Sequence, residues 1–188
     1  MGLLDVLFGR SRGPKSKTEP LFAISTAAVT LQTQFNLRPT GQAAVVFRPV
    51  ESASFEETRQ ELDDLLRVAA RSAGSRIDLK ADEFGYVWVV VEDPQFEDLV
   101  TALHMAALTL TDGGFRDRLL AAAFPFEGRE GRVYWLYSYK LGRFYPFAPE
   151  DARSRNNALE LRLSAAMARE LPMEKDTTLW YGLYGAPI

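Results

Sequence analysis

The sequence of 188 residues contains no cysteine and only one histidine, His104. Without cysteine the chain can form neither a disulfide framework nor a thiolate metal site, and one histidine cannot build a multi-histidine site. The absence of cysteine suits a reducing cytosol. We therefore predict no metal and no cofactor, and we expect a cytoplasmic protein.

Other signals are missing as well. No window approaches the roughly 18 consecutive apolar residues that a membrane-spanning helix needs. A net charge of −3 and a pI of about 5.3 lack the basic footprint of a nucleic-acid-binding protein. No phosphate-binding loop, dinucleotide fingerprint or nucleophile elbow occurs. Because no catalytic motif is recognisable, we predict no catalytic residues and expect the protein not to be an enzyme.

The first 18 residues differ in composition from the rest of the chain. Their apolar side chains fall at helical spacing, namely Leu3, Leu4, Leu7 and Phe8. Four basic residues follow within residues 10–17, together with a glycine and a proline. We predict an amphipathic arm and a basic linker at residues 1–18. So short a helix is marginal alone in water, so the arm needs its own domain, a partner or a membrane interface to lie on.

Residues 19–188 have the composition of a globular protein, and we predict that they form a single α+β domain. Residues 21–37 fit both helical and alternating spacing, and we favour a helix over about 25–35. The capping box at residues 54–57 and the Asp93-Pro94 pair each predict a helix start. The predicted strands are 43–48, 76–80, 86–92, 119–126, 132–140 and 143–147, and the predicted helices are 25–35, 54–73, 93–112 and 155–171.

This order predicts a mainly antiparallel sheet with helices packed on it. Strand, helix, two strands, helix and strand is the order of a ferredoxin-like βαββαβ core, to which an extra hairpin and a C-terminal helix are added. The strand at 86–92 is rich in valine, which is typical of a central strand covered on both faces. The closing segment, residues 179–188, carries Trp180, Tyr181 and Tyr184, so we expect it to dock on the domain.

The hairpin at residues 133–147 is the most aromatic part of the chain, with seven aromatic residues. Alternate residues of a hairpin point to opposite faces, so one face is expected in the core. The other face would then present tyrosine and tryptophan, which lead at protein interfaces. Two interpretations remain open: a fully packed core, or a partner-binding face that includes Trp135, Tyr137 and Tyr145.

Phe84-Gly85-Tyr86-Val87 resembles the aromatic signature that an RNA-recognition motif carries on its third strand. On that interpretation Phe84 and Tyr86 would stack on bases. Asp82 and Glu83 stand where a basic residue and a glycine are expected, and an acid there opposes phosphate. A small RNA-binding domain is therefore the alternative function. The structural explanation of the same four residues is a strand that follows a turn.

The remaining ionisable residues form no recognisable site. His104 lies beside the apolar face of a predicted helix, and no nucleophile or carboxylate is placed next to it by the sequence. Glu57, Glu61 and Asp64 share a helix face opposite the apolar stripe, which is typical of a solvated surface. Asp82, Glu83, Glu92 and Asp93 fall at strand ends. We predict packing or surface roles for all of them.

Several stretches taken together resemble one family. They are Met1–Gly9, Arg38–Gly41, Phe144–Pro149, Asn156–Leu161 and Gly185–Pro187. In their order and spacing, and over the whole length, the chain resembles PspAB, the PspA-associated proteins of the bacterial phage-shock response.

The resemblance implies a bacterial protein that works with PspA, a coiled-coil protein of membrane stress, and it implies no catalytic residue, cofactor or metal. The resulting hypothesis is a non-enzymatic adaptor or regulator that binds a PspA-like coiled coil. The arm (Leu3, Leu4, Leu7 and Phe8) or the hairpin (Trp135, Tyr137 and Tyr145) would make the contact. A weak peripheral contact of residues 1–17 would bring the protein to the inner face of the cell membrane.

Overall fold

The structure, a computed structural model, describes residues 19–49, 60, 63–64 and 75–188. The predicted arm and linker at residues 1–18 lie outside the described residues. So does nearly all of the predicted helix at 54–73, although Gln60, Asp63 and Asp64 are described and are helical. The fold is therefore argued from residues 19–49 and 75–188.

Residues 19–49 and 75–188 form one sheet and three α-helices. The helices are α1 (Ala23–Phe35, after a 3₁₀ turn at Glu19–Phe22), α2 (Phe96–Leu110) and α3 (Asn157–Met167). The strands are β1 (Arg38–Pro39), β2 (Gln42–Phe47), β3 (Arg76–Ala81), β4 (Val87–Glu92), β5 (Leu119–Gly128), β6 (Gly131–Ser138) and β7 (Arg143–Phe147).

The strands pair in the order β3-β4-β2-β5-β6-β7, with β1 also paired to β5, and every pairing is antiparallel. This confirms the predicted α+β class with helices packed on an antiparallel sheet, and the hairpin β6–β7 is present as expected. The order β3-β4-β2-β5 is compatible with a ferredoxin-like core. Because most of the helix predicted between β2 and β3 lies outside the described residues, the βαββαβ detail stays a prediction.

Helix α1 resolves the ambiguity of residues 21–37. Its buried residues are Ile24, Ala27, Ala28 and Leu31, which recur at helical spacing. The helix ends at Asn36, whose φ of 53° is left-handed and whose N–H donates to the Leu31 carbonyl. Asparagine adopts this conformation more readily than most residues, so it can stop a helix where glycine is absent.

The start of α2 differs from the prediction. Asp93 does not cap the helix, which begins at Phe96 with Gln95 before it and without a side-chain cap. Instead, the buried Asp93 carboxylate accepts the Gln95 N–H at 2.7 Å through Oδ1 and the Ser75 hydroxyl at 2.5 Å through Oδ2. Asp93 thus turns the chain after β4 and ties it to the residue before β3.

The sheet is covered on both faces, because successive side chains of each strand point to opposite sides. On the face we call the helix face, strand residues such as Val89, Val91 and Phe124 pack under α1, α2 and α3. On the opposite face, which we call the tail face, a second cluster includes Val46, Trp88 and other strand residues. Burial of β4 on both sides confirms the doubly covered strand that its valines predict.

The C-terminal tail, residues 180–188, covers the tail face. Trp180 and Ile188 are buried there, and Leu183, Tyr184 and Ala186 pack against the same cluster. The tail has no helix or strand of its own. The expected docking of the aromatic closing segment is therefore confirmed, and it gives the sheet two hydrophobic cores instead of one.

Candidate interaction surface

The residues predicted to bind a partner fall into two groups in the structure. Leu3, Leu4, Leu7 and Phe8 lie outside the described residues. Trp135 and Tyr137 are 0% exposed on the helix face of β6, and Tyr145 is 3% exposed on the tail face of β7. The structure therefore does not bring the two groups together, and it places the three hairpin residues inside the domain.

The hairpin offers no exposed aromatic face, because Trp135, Tyr137 and Tyr145 are all buried. The physical reason is that both of its faces are covered: the helices pack on one, and the C-terminal tail packs on the other. Burial raises the pKa of Tyr137 and of Tyr145 to about 12, so both phenols stay neutral at ordinary pH. The first of the two interpretations, a packed core, fits these positions.

The tail is held on the sheet by ring contacts with β7. The Trp180 ring stacks on Tyr145 with 6.2 Å between centroids, and the Tyr184 ring meets Phe147 edge-on at 5.0 Å. Such aromatic pairs contribute about 0.5–1.5 kcal/mol each beyond the area they bury. The aromatic residues of the hairpin thus bind the tail of the same chain.

Side chains from the sheet also donate to main-chain oxygens of the tail. Lys80 Nζ reaches the Pro187 oxygen at 3.2 Å. Arg132 Nη1 and the Tyr134 hydroxyl both reach the Ile188 oxygen, at 3.1 and 3.0 Å. Because Lys80 lies on β3 and the other two donors lie on β6, these contacts hold the tail across most of the width of the sheet.

A buried ion pair anchors the start of the tail. Arg155 Nε lies 2.9 Å from both carboxylate oxygens of Glu160, which is 1% exposed and also accepts the Ala148 N–H at 2.7 Å. Arg155 Nη1 donates to the Trp180 oxygen at 2.7 Å, and its guanidinium lies 5.0 Å from the centre of the Phe147 ring. One arginine thus joins α3, β7 and the tail, a role that sequence analysis missed.

The turn between β3 and β4 corrects the RNA-recognition interpretation. Phe84 is not on a strand; it lies in the turn before β4 and is 66% exposed. Tyr86 precedes β4 and packs against the tail-face cluster. An RNA-recognition sheet needs an open face on which aromatics can stack bases, and this face is occupied by the tail. No contact among the described residues favours the RNA-binding alternative.

Asp82 has a structural role in the same turn. Its Oδ1 accepts the N–H groups of Phe84 and Tyr86, each at 2.9 Å, and its Oδ2 accepts the indole N–H of Trp88 at 2.8 Å. The acid that opposes phosphate binding is therefore needed to close the turn and to position Trp88 on the tail face.

Replacing Asp82 by alanine should lower the free energy of unfolding by about 1–3 kcal/mol, since three donors lose their acceptor. The neighbouring Glu83 is exposed, so Glu83→Ala should change stability by no more than about 0.5 kcal/mol. Urea unfolding followed by tryptophan fluorescence measures both variants. Equal stabilities of the two variants would contradict the assigned role of Asp82.

His104 packs against the α1 region. Its ring lies 4.9 Å from the Phe22 ring, and partial burial lowers the pKa of the imidazole below its usual range. Its Nδ1 has no hydrogen-bond partner among the described residues. This geometry corresponds to the packing role expected for the single histidine, not to a base held by an orienting carboxylate.

Three of the four predicted strand-end carboxylates, Asp82, Glu92 and Asp93, accept local hydrogen bonds. Besides Asp82 and Asp93, Glu92 accepts from Gln42 Nε2 at 2.8 Å and lies 3.8 Å from Arg76 Nη1. Glu57 and Glu61 lie outside the described residues. Within the described part of the chain, no three histidine, aspartate or glutamate residues are grouped to hold a metal ion, and no helix is long and apolar enough to cross a membrane.

A family model described as PspA associated protein B matches residues 1–188, which is the whole chain. The chain belongs to the PspAB family. This confirms the resemblance seen in the sequence, and it makes the chain a PspA-associated protein by family. A search of curated proteins and a search of solved structures each found no significant match.

Proposed function

We propose that this PspAB-family chain is a non-enzymatic adaptor or regulator that binds a PspA-like coiled-coil protein in the bacterial membrane-stress response. The observation that carries the proposal is the family match over all 188 residues, because the family is described by its association with PspA. A binding protein needs an apolar surface that its own core does not use. The question is therefore which part of the chain offers one.

The arm is the first candidate for that surface. Leu3, Leu4, Leu7 and Phe8 make an apolar stripe that is too short to be stable alone, since eight helical residues span only about 12 Å. An amphipathic helix of this kind docks in the groove of a partner or lies at a lipid surface. The structure supports the arm indirectly, because the competing hairpin residues are buried in the domain.

The basic linker supports a place near the membrane. Residues 10–17 carry two arginines and two lysines directly after the apolar stripe. Such clusters are attracted to the anionic inner leaflet, each cation contributing about 1 kcal/mol near the surface. We propose a cytoplasmic protein that reaches the inner face of the membrane through a weak peripheral contact, strengthened by the PspA-like partner.

Replacing Leu7 by aspartate should weaken binding to a purified PspA-family protein by about tenfold or more, because a buried apolar anchor is lost at the interface. Isothermal titration of the full chain against the partner measures the affinity. Flotation with vesicles of anionic phospholipid, with and without the partner, measures recruitment to lipid in the same variant.

The matched control is Val6→Asp, which introduces the same charge next to Leu7. On a helix, position 6 points away from the stripe of Leu3, Leu4, Leu7 and Phe8. Val6→Asp should therefore keep affinity within about threefold of the unchanged chain. Equal loss in both variants, or no loss in either, would remove the arm from the interface. Failure of the unchanged chain to bind a PspA-family protein would refute the proposed function.

A further inference from the structure

The C-terminal tail is unusual in composition for a segment that closes a sheet. Residues 180–188 contain no charged side chain and include two glycines and one proline. Gly185 has a φ of +72°, and no residue of the segment lies in a helix or a strand. The tail thus resembles a bound apolar peptide more than an added strand or helix.

The tail is also attached in an unusual way. Among the described residues, no hydrogen bond between two main-chain groups joins residues 181–188 to a strand. Three side chains, Lys80, Arg132 and Tyr134, donate to its last two main-chain oxygens, Arg155 donates to the Trp180 oxygen at its start, and ring contacts add to these bonds. Segments held without ladder hydrogen bonds open with a lower free energy than core strands, so this tail can leave while the sheet stays folded.

The surface under the tail is continuous and apolar. Strands β2, β4 and β5 contribute Ala44, Val46, Trp88, Val90, Ala121 and Ala123, and the edge strand β7 contributes Tyr145 and Phe147. Without the tail this surface would be a broad apolar patch on a sheet whose other face is filled by the helices. Patches of this kind are sites of protein association.

The charges around this surface indicate what would bind there. Lys80 on β3 and Arg132 on β6 donate to the main-chain oxygens of Pro187 and Ile188, and no side chain of residues 180–188 is acidic. When the tail leaves, Lys80 Nζ and Arg132 Nη1 lose these acceptors, while Arg132 Nη2 stays paired with Glu127 Oε2 at 3.3 Å. An amphipathic helix with acidic residues flanking its apolar stripe would satisfy the patch and the two cations together.

We propose that residues 180–188 are a displaceable strap, and that the sheet face beneath them is the docking surface for an acidic-flanked amphipathic helix of the coiled-coil partner. The docking step rests on the proposed function, whereas the opening of the strap does not. The strap competes with the partner for the same surface, so the free protein keeps the patch covered and the partner opens it by binding the exposed state.

Opening of the strap is tested without any partner by thiol labelling of the native protein. Ala123→Cys places a thiol under the strap, and Ala122→Cys places one on the helix face; both positions are 0% exposed on the same strand. The chain has no other cysteine, so labelling reports that position alone. The Ala123→Cys thiol should be labelled at least about tenfold faster, through local opening. Equal labelling rates at the two positions would refute the opening of the strap.

Docking is tested by tying the strap down in the full chain. A short bis-maleimide can bridge Lys80→Cys and Pro187→Cys, since Lys80 Nζ lies 3.2 Å from the Pro187 oxygen. The control is the same double variant capped with N-ethylmaleimide, which lacks the bridge. The bridged form should bind a purified PspA-family protein at least about tenfold more weakly than the capped form.

The outcomes separate the two proposals. If bridged and capped forms bind equally well, the partner docks elsewhere; the docking inference is overturned, and the proposed function stands. If the unchanged chain does not bind a PspA-family protein, the proposed function fails and the docking inference falls with it. The ratio of the two thiol-labelling rates then tests the opening of the strap without any partner.

Discussion

Replacing Glu160 by alanine should lower the free energy of unfolding by about 3–5 kcal/mol, because it leaves the largely buried Arg155 guanidinium without its counter-charge. The Glu160 side chain is 2% exposed and that of Arg155 is 19% exposed, so water can replace little of the lost interaction. The Ala148 N–H loses its acceptor as well. Urea unfolding followed by circular dichroism measures the loss.

The matched control is the exposed pair of Arg162 and Glu130, whose side chains are 55% and 56% exposed. Glu130→Ala should cost less than about 1 kcal/mol, because solvent screens an exposed pair and its side chains lose entropy on pairing. Comparable losses for Glu160→Ala and Glu130→Ala would show that burial does not decide the energy of the Arg155 pair.

A double variant separates the pair from the packing around it. Arg155→Met with Glu160→Leu removes both charges and keeps apolar volume, so it should recover most of the stability lost in Glu160→Ala. Recovery should be incomplete, because the Ala148 N–H and the Trp180 oxygen each still lose their partner. Stability below that of Glu160→Ala would contradict an unpaired charge as the cause of the loss.

The sequence predicted those parts of the fold whose signals are local. Helix α2 and strand β4 follow from apolar spacing at periods near 3.6 and from a run of valines, and each forms where its pattern indicates. The antiparallel class followed from the order strand, helix, two strands, helix and strand. The family was also readable, because motifs near the two ends and in the middle of the chain occur in a shared order.

The hairpin could not be assigned from its own residues. The alternation of side chains along its strands predicts two different faces, but it does not indicate what covers each face. The cover of the tail face comes from residues 180–188, more than 30 positions after β7 begins, so no local window contains it. The aromatic closing segment was the available signal, because a docked tail needs a receiving surface, and of the three predicted residues Tyr145 lies on that surface.

Two acids at strand ends show the same limit. Asp82 was placed in a turn and Asp93 at a helix start, but the partners of both depend on geometry that sequence spacing does not contain. Asp82 reaches the indole of Trp88 across the turn, and Asp93 reaches the hydroxyl of Ser75 on a neighbouring segment. The Arg155–Glu160 pair was equally hidden, although Glu160 lies inside one of the stretches on which the family resemblance rests.

The second large effect is expected at Trp135. Trp135→Ala should lower the free energy of unfolding by about 3–5 kcal/mol, because a large side chain that is 0% exposed is removed from the helix-face core. It pairs across the strands with Phe124, and its indole N–H has no acceptor among the described residues. The loss is therefore one of packing, and urea unfolding of the variant measures it.

The same variant decides between the two original interpretations of the hairpin. If Trp135 is a core residue, Trp135→Ala should lower the free energy of unfolding and leave affinity for a PspA-family protein unchanged. Binding is measured at a temperature where the variant is folded. Tyr181→Ala is the control, since that aromatic ring is 68% exposed and its removal should change stability by no more than about 0.5 kcal/mol. Retained stability with weakened binding in Trp135→Ala would restore the hairpin as the interface and would require the helices above it to move.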